Sequence, residues 1–313
     1  ADRSRGLGDV YKRQTRTGID EMNRLLMLLR GPLILSVMIF SIVLAPFCAS
    51  ADGGLEEQEE RLRELRQAAA EKRMEESRET VEEAFGADDK STFTPHHLNY
   101  GVLGKDDALM QISFKYRLGR DWNWYLAFTS VIKWDVWEES SPYSDINFKP
   151  EVFYRFTPAI ENLVSVDAGY WHESNGQGGE ESRSWDQLFV RFNTLFDINN
   201  IALAWETHLY CELNTGEFNQ DIGNYLGWWD TAFYLLNILP FDTFNMDLEF
   251  YLWSGDNGVP FDRGQYRTGI TFKWENAVFQ PSLYVQYFNG YGEVMAEYDE
   301  RSEAWRVGIV FLY

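Results

Sequence analysis

The chain alternates apolar and polar side chains with a period of two from about residue 95 to its end. One run shows the pattern clearly: Ala108, Met110, Ile112, Phe114, Tyr116 and Leu118 alternate with Gln111, Ser113, Lys115 and Arg117. The pattern recurs in residues 265–274 and 305–313. Because successive side chains of a β-strand point to opposite faces, the alternation predicts strands with one apolar and one polar face.

Runs of this kind occur twelve times along the chain. They start near residues 97, 107, 122, 146, 163, 183, 200, 222, 242, 263, 278 and 303. Strands of about ten residues with aromatic residues near their ends match the bilayer crossing of a β-barrel. An open sheet in lipid would leave the amides of its edges unpaired, so these strands are expected to close. The predicted fold is all-β, a twelve-stranded antiparallel transmembrane β-barrel over residues 93–313, with a charged helix before it.

The polar faces of the predicted strands carry charges of both signs. The inward charged residues are Lys115, Arg117, Glu151, Arg155, Arg191, Glu206, Glu249, Arg267 and Lys273. Opposite charges at such positions can pair and fill the interior of a small barrel. His208 shares the inward face, where a satisfied lumen residue is a commoner role for it than a ligand.

The first 92 residues differ from the barrel region. Residues 22–51 have the parts of a secretory signal peptide: Arg24 and Arg30, an apolar run over 32–47, and small residues up to Ala51. A signal anchor is the alternative. Residues 1–21 carry no recognisable signal and are expected to be absent from the mature protein. Residues 52–92 are rich in Glu, Arg and Ala, which predicts a charged helical periplasmic extension that is either solvated or a partner-binding helix.

The formal net charge of the chain is −21. An acidic body of this kind repels the phosphates of nucleic acids, so nucleic acid is not an expected partner. Acidic groups in turns can instead collect divalent cations, although most of them are equally well explained as solvated loop residues.

Three polar residues fall on the apolar face of two neighbouring predicted strands. The outward parity of residues 164–170, extended forward, places His172 and Ser174 on the lipid side. The parity of residues 188–192, extended back, places Asp186 there too. Unpaired polar groups in hydrocarbon are costly, so these three are expected to pair with one another. Ser, His and Asp have the three roles of a nucleophile, its base and the group that orients the base.

The stretch G-Y-W-H-E-S-N-G-Q-G-G-E-E-S-R-S-W-D, residues 169–186, resembles the signature of the outer-membrane phospholipase A family. The family pattern is a Tyr followed by H-x-S-N-G and an S-R-S-W block. Further matches lie at residues 138–142, 147–151, 99–103, 290–293 and 306–308. The resemblance covers about residues 93–313.

The resemblance implies a role for each matching residue. Ser174 would be the nucleophile, His172 the general base, and Gly176 a backbone donor to the oxyanion. Calcium would bind where two protomers meet, at Gln177 and Ser182 of one chain and Ser140 of its partner. It would stabilise developing charge. The family acts on phospholipids at either acyl position and is inactive as a monomer.

Two positions depart from the family pattern. Asp186 stands where the family usually has Asn, and an aspartate can still orient the imidazole and stabilise its charged form. Thr129, Ser130 and Val131 stand where the family carries a Gln buried in the dimer interface. We therefore expect a dimer whose hydrogen bonding differs.

The leading hypothesis is a calcium-dependent phospholipase A of the Gram-negative outer membrane, active as a homodimer and acting on acyl esters of phospholipids. One rival is a passive twelve-stranded channel, which would need an open lumen. Another is an acyltransferase or deacylase that uses the same three residues on lipopolysaccharide.

Overall fold

The computed structural model describes residues 56–86, 93–119, 122–198, 201–238, 244–256, 258, 262–274 and 281–311. The predicted upstream extension at 1–21 and signal segment at 22–51 lie outside these residues. The chain divides into two units, Ala1–Arg61 and Leu62–Tyr313. Of the first unit the structure describes residues 56–61, the start of a helix. The second unit contains the rest of that helix and all the strands of the described chain.

Two helices and thirteen strands are present in the described residues. The helices are α1 (Glu56–Phe85) and the short α2 (Gly223–Leu226). The strands are β1 (Phe93–Thr94), β2 (Asn99–Gly104), β3 (Ala108–Arg117), β4 (Trp124–Trp134), β5 (Tyr143–Phe156), β6 (Leu163–Ser174), β7 (Ser184–Ile198), β8 (Ile201–Thr215), β9 (Trp229–Leu236), β10 (Phe244–Trp253), β11 (Gln265–Trp274), β12 (Pro281–Tyr291) and β13 (Arg301–Phe311). Single 3₁₀ turns lie at Gly179–Glu181 and Met295–Glu297.

Strands β2 to β13 form a closed antiparallel barrel of twelve strands. Each pairs with the next along the chain, and β13 returns to pair with β2. The two-residue β1 pairs with β3 at Tyr116 and Lys115, beyond the part of β3 that β2 pairs with. Strands β1 and β2 therefore share one position in the wall, and the segment between them, Pro95–Leu98, leaves it. Closure pairs the backbone without a free edge along the described strands, which confirms the predicted fold.

The barrel buries its polar face and exposes its apolar one. On β3, Met110, Ile112 and Tyr116 are exposed, whereas Ser113 and Lys115 are buried. Exposed Trp, Tyr, Phe, Leu and Ile side chains recur on the outer faces of most other strands. This inversion of the soluble pattern is the arrangement of a barrel whose outer wall contacts lipid.

The described lumen is filled by ion pairs and aromatic side chains. Arg155 Nε lies 2.7 Å from Asp167 Oδ1, Arg191 Nη2 lies 2.8 Å from Glu151 Oε2, and Arg267 Nη2 lies 2.7 Å from Glu249 Oε1. Trp171, Trp185, Phe189 and Tyr210 belong to one buried apolar cluster. Cavities of about 300 and 110 Å³ lie among the described residues. The predicted pairing of inward charges is confirmed at these three pairs.

The C-terminal end of helix α1 packs against the barrel. Its last carbonyls accept hydrogen bonds from lumen side chains: Ala84 O from Lys115 Nζ, Phe85 O from Ser165 Oγ at 2.5 Å, and Gly86 O from Arg155 Nη1 at 2.9 Å. The last turn has no basic residue of its own, so the barrel supplies the positive charge that the carbonyl end of a helix favours. Val81 is buried beside Leu195, Ala202 and Ala204.

The helices of the described residues include none that is long and apolar enough to cross a membrane.

Candidate active site

Strands β6 and β7 bring His172 and Asp186 directly opposite each other. The two residues are register partners across the antiparallel pair, so their side chains leave the same face at the closest spacing of the ladder. The distance from His172 Nδ1 to Asp186 Oδ1 is 2.8 Å. Both side chains are partly exposed on the outer wall, His172 at 34% and Asp186 at 20%. Counting by twos from the sequence therefore placed both side chains on the correct face.

The Asp186 carboxylate also accepts hydrogen bonds from two further residues. The Tyr170 hydroxyl donates to Oδ1 at 2.6 Å, and the Asn214 side-chain amide donates to Oδ2 at 3.2 Å. With His172, three donors surround one carboxylate. This number matters because an ionised group beside hydrocarbon is stable only when its oxygens are paired.

Asn214 was missed by the sequence analysis because β8 is irregular there. Asp186 pairs with Asn214, but the next residue, Gln187, pairs with Glu212, so Leu213 is an extra residue in the ladder. Strict alternation along β8 would turn Asn214 inward, with His208 and Tyr210. The bulge at Leu213 shifts the parity and turns Asn214 outward beside Asp186, a device common next to active sites.

Ser174 ends β6 on the same face as His172, two residues further along the strand. It is half-buried, and its register partners are Phe148 on β5 and Ser184 on β7. Among the described residues, its hydroxyl makes no hydrogen bond to His172 in this structure. Catalytic hydrogen bonds are commonly long before substrate binds and tighten in the complex.

The loop between β6 and β7 is held together by Asn175. Its buried side chain accepts hydrogen bonds from the backbone N–H of Gln177 at 3.3 Å and of Arg183 at 3.0 Å, and donates to Glu181 O at 3.0 Å. Gly176 follows with φ of 66°, a conformation that favours glycine. The side-chain oxygen of Asn175 thereby connects the beginning and the end of the loop.

The residues that the resemblance implies for calcium lie in two loops at one end of the barrel. Gln177 is exposed and Ser182 is half-buried in the β6–β7 loop, where the Ser182 N–H donates to Gly179 O at 3.1 Å. Ser140 is exposed in the loop between β4 and β5, with φ of 68°. Both loops offer hydroxyl, amide and backbone oxygens, the ligand type that calcium prefers. The donor set therefore fits calcium chemically.

A second group of metal-ligand type lies inside the lumen. His96 Nε2 is 3.2 Å and His97 Nε2 is 3.9 Å from Glu151 Oε1. Arg191, however, binds the other oxygen of Glu151 and lies 3.5 Å from His96 Nε2. A guanidinium in that place repels a cation, so the group is better explained as part of the polar filling of the lumen.

The sequence profile of the family described as Phospholipase A1 matches residues 77–311, about three quarters of the chain. The chain belongs to the phospholipase A1 family. It is therefore a member of a family of phospholipase enzymes, and the match includes the residues of β6 and β7 described above.

Two relatives in the phospholipase A1 family show how far the sequence similarity extends. Phospholipase A1 of Escherichia coli K12 is 29% identical over 231 residues, which are 66% of this chain and 70% of that protein. A putative phospholipase A1 of Neisseria meningitidis serogroup B is 24% identical over 227 residues, 68% of this chain. The chain spans only 56% of the length of the Neisseria protein.

Solved structures of the family share the fold. The calcium-bound dimer of outer-membrane phospholipase from Salmonella typhi superposes with a TM-score of 0.59 at 21% identity, covering 74% of this chain and 96% of that chain. Outer-membrane phospholipase A from E. coli gives a TM-score of 0.58 at 21% identity, covering 70% and 94%. At this identity the likeness supports the barrel architecture.

Proposed function

We propose that this protein is a calcium-dependent phospholipase A of the Gram-negative outer membrane that hydrolyses acyl esters of phospholipids at the first or second position. One observation carries the proposal: His172 and Asp186 are hydrogen-bonded on the outer wall, with Ser174 on the same face two residues away. A polar group of this composition facing lipid has a lipid as its natural substrate. The family to which the chain belongs supports the same reaction class.

In this proposal the Ser174 hydroxyl attacks the acyl carbonyl carbon. Because Nδ1–H of His172 donates to Asp186, Nε2 is the nitrogen with a lone pair to accept the hydroxyl proton. The imidazolium that forms is stabilised by the carboxylate. It returns the proton to the departing lysophospholipid oxygen. Water, activated by the same imidazole, then releases the fatty acid from Ser174.

The negative charge on the carbonyl oxygen needs donors placed beside Ser174. In the proposal the backbone N–H of Gly176 is one, held by the loop that Asn175 closes. A calcium ion would be held by Gln177 and Ser182 of one subunit together with Ser140 of the partner subunit. When bound, it supplies positive charge that stabilises this oxygen.

The proposed partners follow from where these residues lie. A site completed by Ser140 of the partner subunit requires a homodimer, joined along apolar outer walls within the lipid bilayer. The segments before the barrel keep their predicted roles in this proposal, with residues 22–51 as a cleaved export signal and 52–92 as a periplasmic extension.

The test is fatty-acid release from phosphatidylcholine micelles by purified, refolded protein, with calcium or with a chelator. We expect release that depends on calcium and that Ser174→Ala abolishes. The folded state of both proteins is checked by the shift in gel mobility that heat produces in β-barrels. Equal release by wild type and Ser174→Ala would refute the proposed nucleophile.

The rival functions give other results in the same preparation. A channel would conduct ions across a planar bilayer and release no fatty acid. An acyltransferase or a lipopolysaccharide deacylase would give different products, which mass spectrometry separates.

A further inference from the structure

We propose that Asn214 is a positioning residue for Asp186, turned onto the outer wall by the bulge at Leu213. It pairs the carboxylate oxygen that His172 does not use, and so allows a charged residue to hold the histidine on a lipid-facing surface. This inference rests on the proposed function, since it concerns the same three residues.

The backbone of β8 turns Asn214 onto the outer face. The bulge at Leu213 is the place where the pairing of β7 and β8 loses its register within the described strands. Without it, the inward parity of His208 and Tyr210 would continue to Asn214. The irregularity therefore coincides with the residue opposite Asp186, and its effect is to bring an amide to the carboxylate. A bulge that only ended the pairing of β7 and β8 would not have to place an amide beside the Asp186 carboxylate.

The two oxygens of the Asp186 carboxylate have different hydrogen-bond donors. Oδ1 of Asp186 accepts from both His172 and Tyr170, whereas Oδ2 accepts from Asn214 alone among the described residues. If Asn214 lost its amide, Oδ2 would face the lipid side unpaired. A carboxylate in that state gains a proton more easily, and a neutral acid stabilises the imidazolium of the transition state poorly.

An asparagine at position 186 would depend on Asn214 much less. Its side-chain oxygen could still accept from His172 and Tyr170, as Oδ1 does in the aspartate. Its NH₂ group would meet the Asn214 side chain, which can rotate to present its own oxygen. Loss of Asn214 would then leave a neutral donor unpaired, which is a smaller cost than an unpaired charged oxygen. Positions 214 and 186 should therefore be energetically coupled.

The experiment is a double-mutant cycle with Asn214→Leu in two backgrounds, wild type and Asp186→Asn. Leucine is close to asparagine in size, tolerates lipid, and has no hydrogen-bonding group. Hydrolysis of phosphatidylcholine in micelles is measured at saturating calcium, as kcat and KM separately. We expect Asn214→Leu to lower kcat about ten-fold or more in the wild type and about three-fold or less in Asp186→Asn, with KM little changed in both.

Thr207→Val is the matched control, since it removes a polar group from the same outer face of β8 away from the site. It should leave kcat within about two-fold of wild type. A purely structural role for Asn214 predicts equal losses in both backgrounds together with a less stable barrel, and that result would overturn the proposal. Failure of the proposed function looks different, because then wild type and Ser174→Ala give the same rate before Asn214 is changed.

Discussion

Two histidine–carboxylate pairs, each formed across neighbouring strands, lie on opposite sides of the barrel wall. On the outside, His172 Nδ1 lies 2.8 Å from Asp186 and its side chain is 34% exposed. On the inside, His208 Nδ1 lies 3.4 Å from Asp230, its side chain is 5% exposed, and its Nε2 accepts a hydrogen bond from Arg191 at 2.8 Å. The inner imidazole therefore has its Nε2 occupied by Arg191 and a carboxylate 3.4 Å from its Nδ1, whereas the outer imidazole is hydrogen-bonded at Nδ1 and has a serine on the same face. The residue types are the same in both pairs, so what distinguishes the proposed site is its accessible second nitrogen and the serine on the same face.

The largest expected effect comes from removing the hydroxyl or imidazole on the outer wall. Ser174→Ala or His172→Ala should lower kcat at least about 10³-fold, because the members of such a triad act as a unit. The matched change on the inner side is His208→Gln, whose folded protein should keep most of its activity. Comparable losses in kcat for His172→Ala and His208→Gln would remove the distinction between the two pairs.

The next effect concerns the inner network and should appear in stability instead of catalysis. Arg191 contacts Glu151, Asp167 and Glu206, so Arg191→Met leaves buried carboxylates without their counter-charge. We expect the free energy of unfolding to fall by about 3–5 kcal/mol, measured by urea titration in lipid vesicles. The specific activity of the remaining folded protein should be unchanged. A variant that stays stable but loses activity would instead show that Arg191 influences the outer site directly.

A third effect is expected at His96, which lies in the lumen in the segment before β2. His96 Nε2 is 3.2 Å from Glu151 Oε1, and both side chains are buried. His96→Leu removes this partner from a buried carboxylate that Arg191 still pairs, so we expect the free energy of unfolding to fall by about 1–3 kcal/mol, less than for Arg191→Met. Urea titration in lipid vesicles measures the change. An unchanged free energy would show that Arg191 alone satisfies Glu151.

The smallest effect is expected at the residue where the chain departs from the family. In Asp186→Asn the amide oxygen can keep the hydrogen bonds from His172 and Tyr170, so kcat should fall by about ten-fold or less. The measurement is the same micelle assay, with heat-dependent gel mobility as the folding control. A loss as large as that of Ser174→Ala would mean that the charge itself, and not only orientation, is required.

Period-two alternation was enough to predict most of this fold and part of the site. Predicted strand starts near 163, 183 and 200 correspond to observed starts at Leu163, Ser184 and Ile201. The outward placement of His172 and Asp186 follows from the same rule, because β6 and β7 are regular where these residues lie. Wherever a strand is regular, alternation along the sequence correctly gives the face of the barrel wall on which a side chain lies.

The features that sequence analysis missed all depend on irregular or long-range contacts. The bulge at Leu213 moves Asn214 to the outer face of β8. Nothing in the amino-acid sequence near Leu213 indicates that a bulge occurs there. The sequence also carries no sign that the segment Pro95–Leu98 leaves the wall and places His96 in the lumen. The docking of helix α1 depends on Lys115, Arg155 and Ser165, which are far from it in sequence.

The outward direction of Ser174 and His172 also determines how a reactant reaches them. A lipid that meets these groups arrives sideways, by diffusing within its own leaflet, and never passes through the barrel. The encounter is then a search in two dimensions, whose rate follows the surface density and fluidity of the lipid layer. The proposed reaction therefore needs no passage through the lumen, and the ion pairs there can serve as rigid scaffolding.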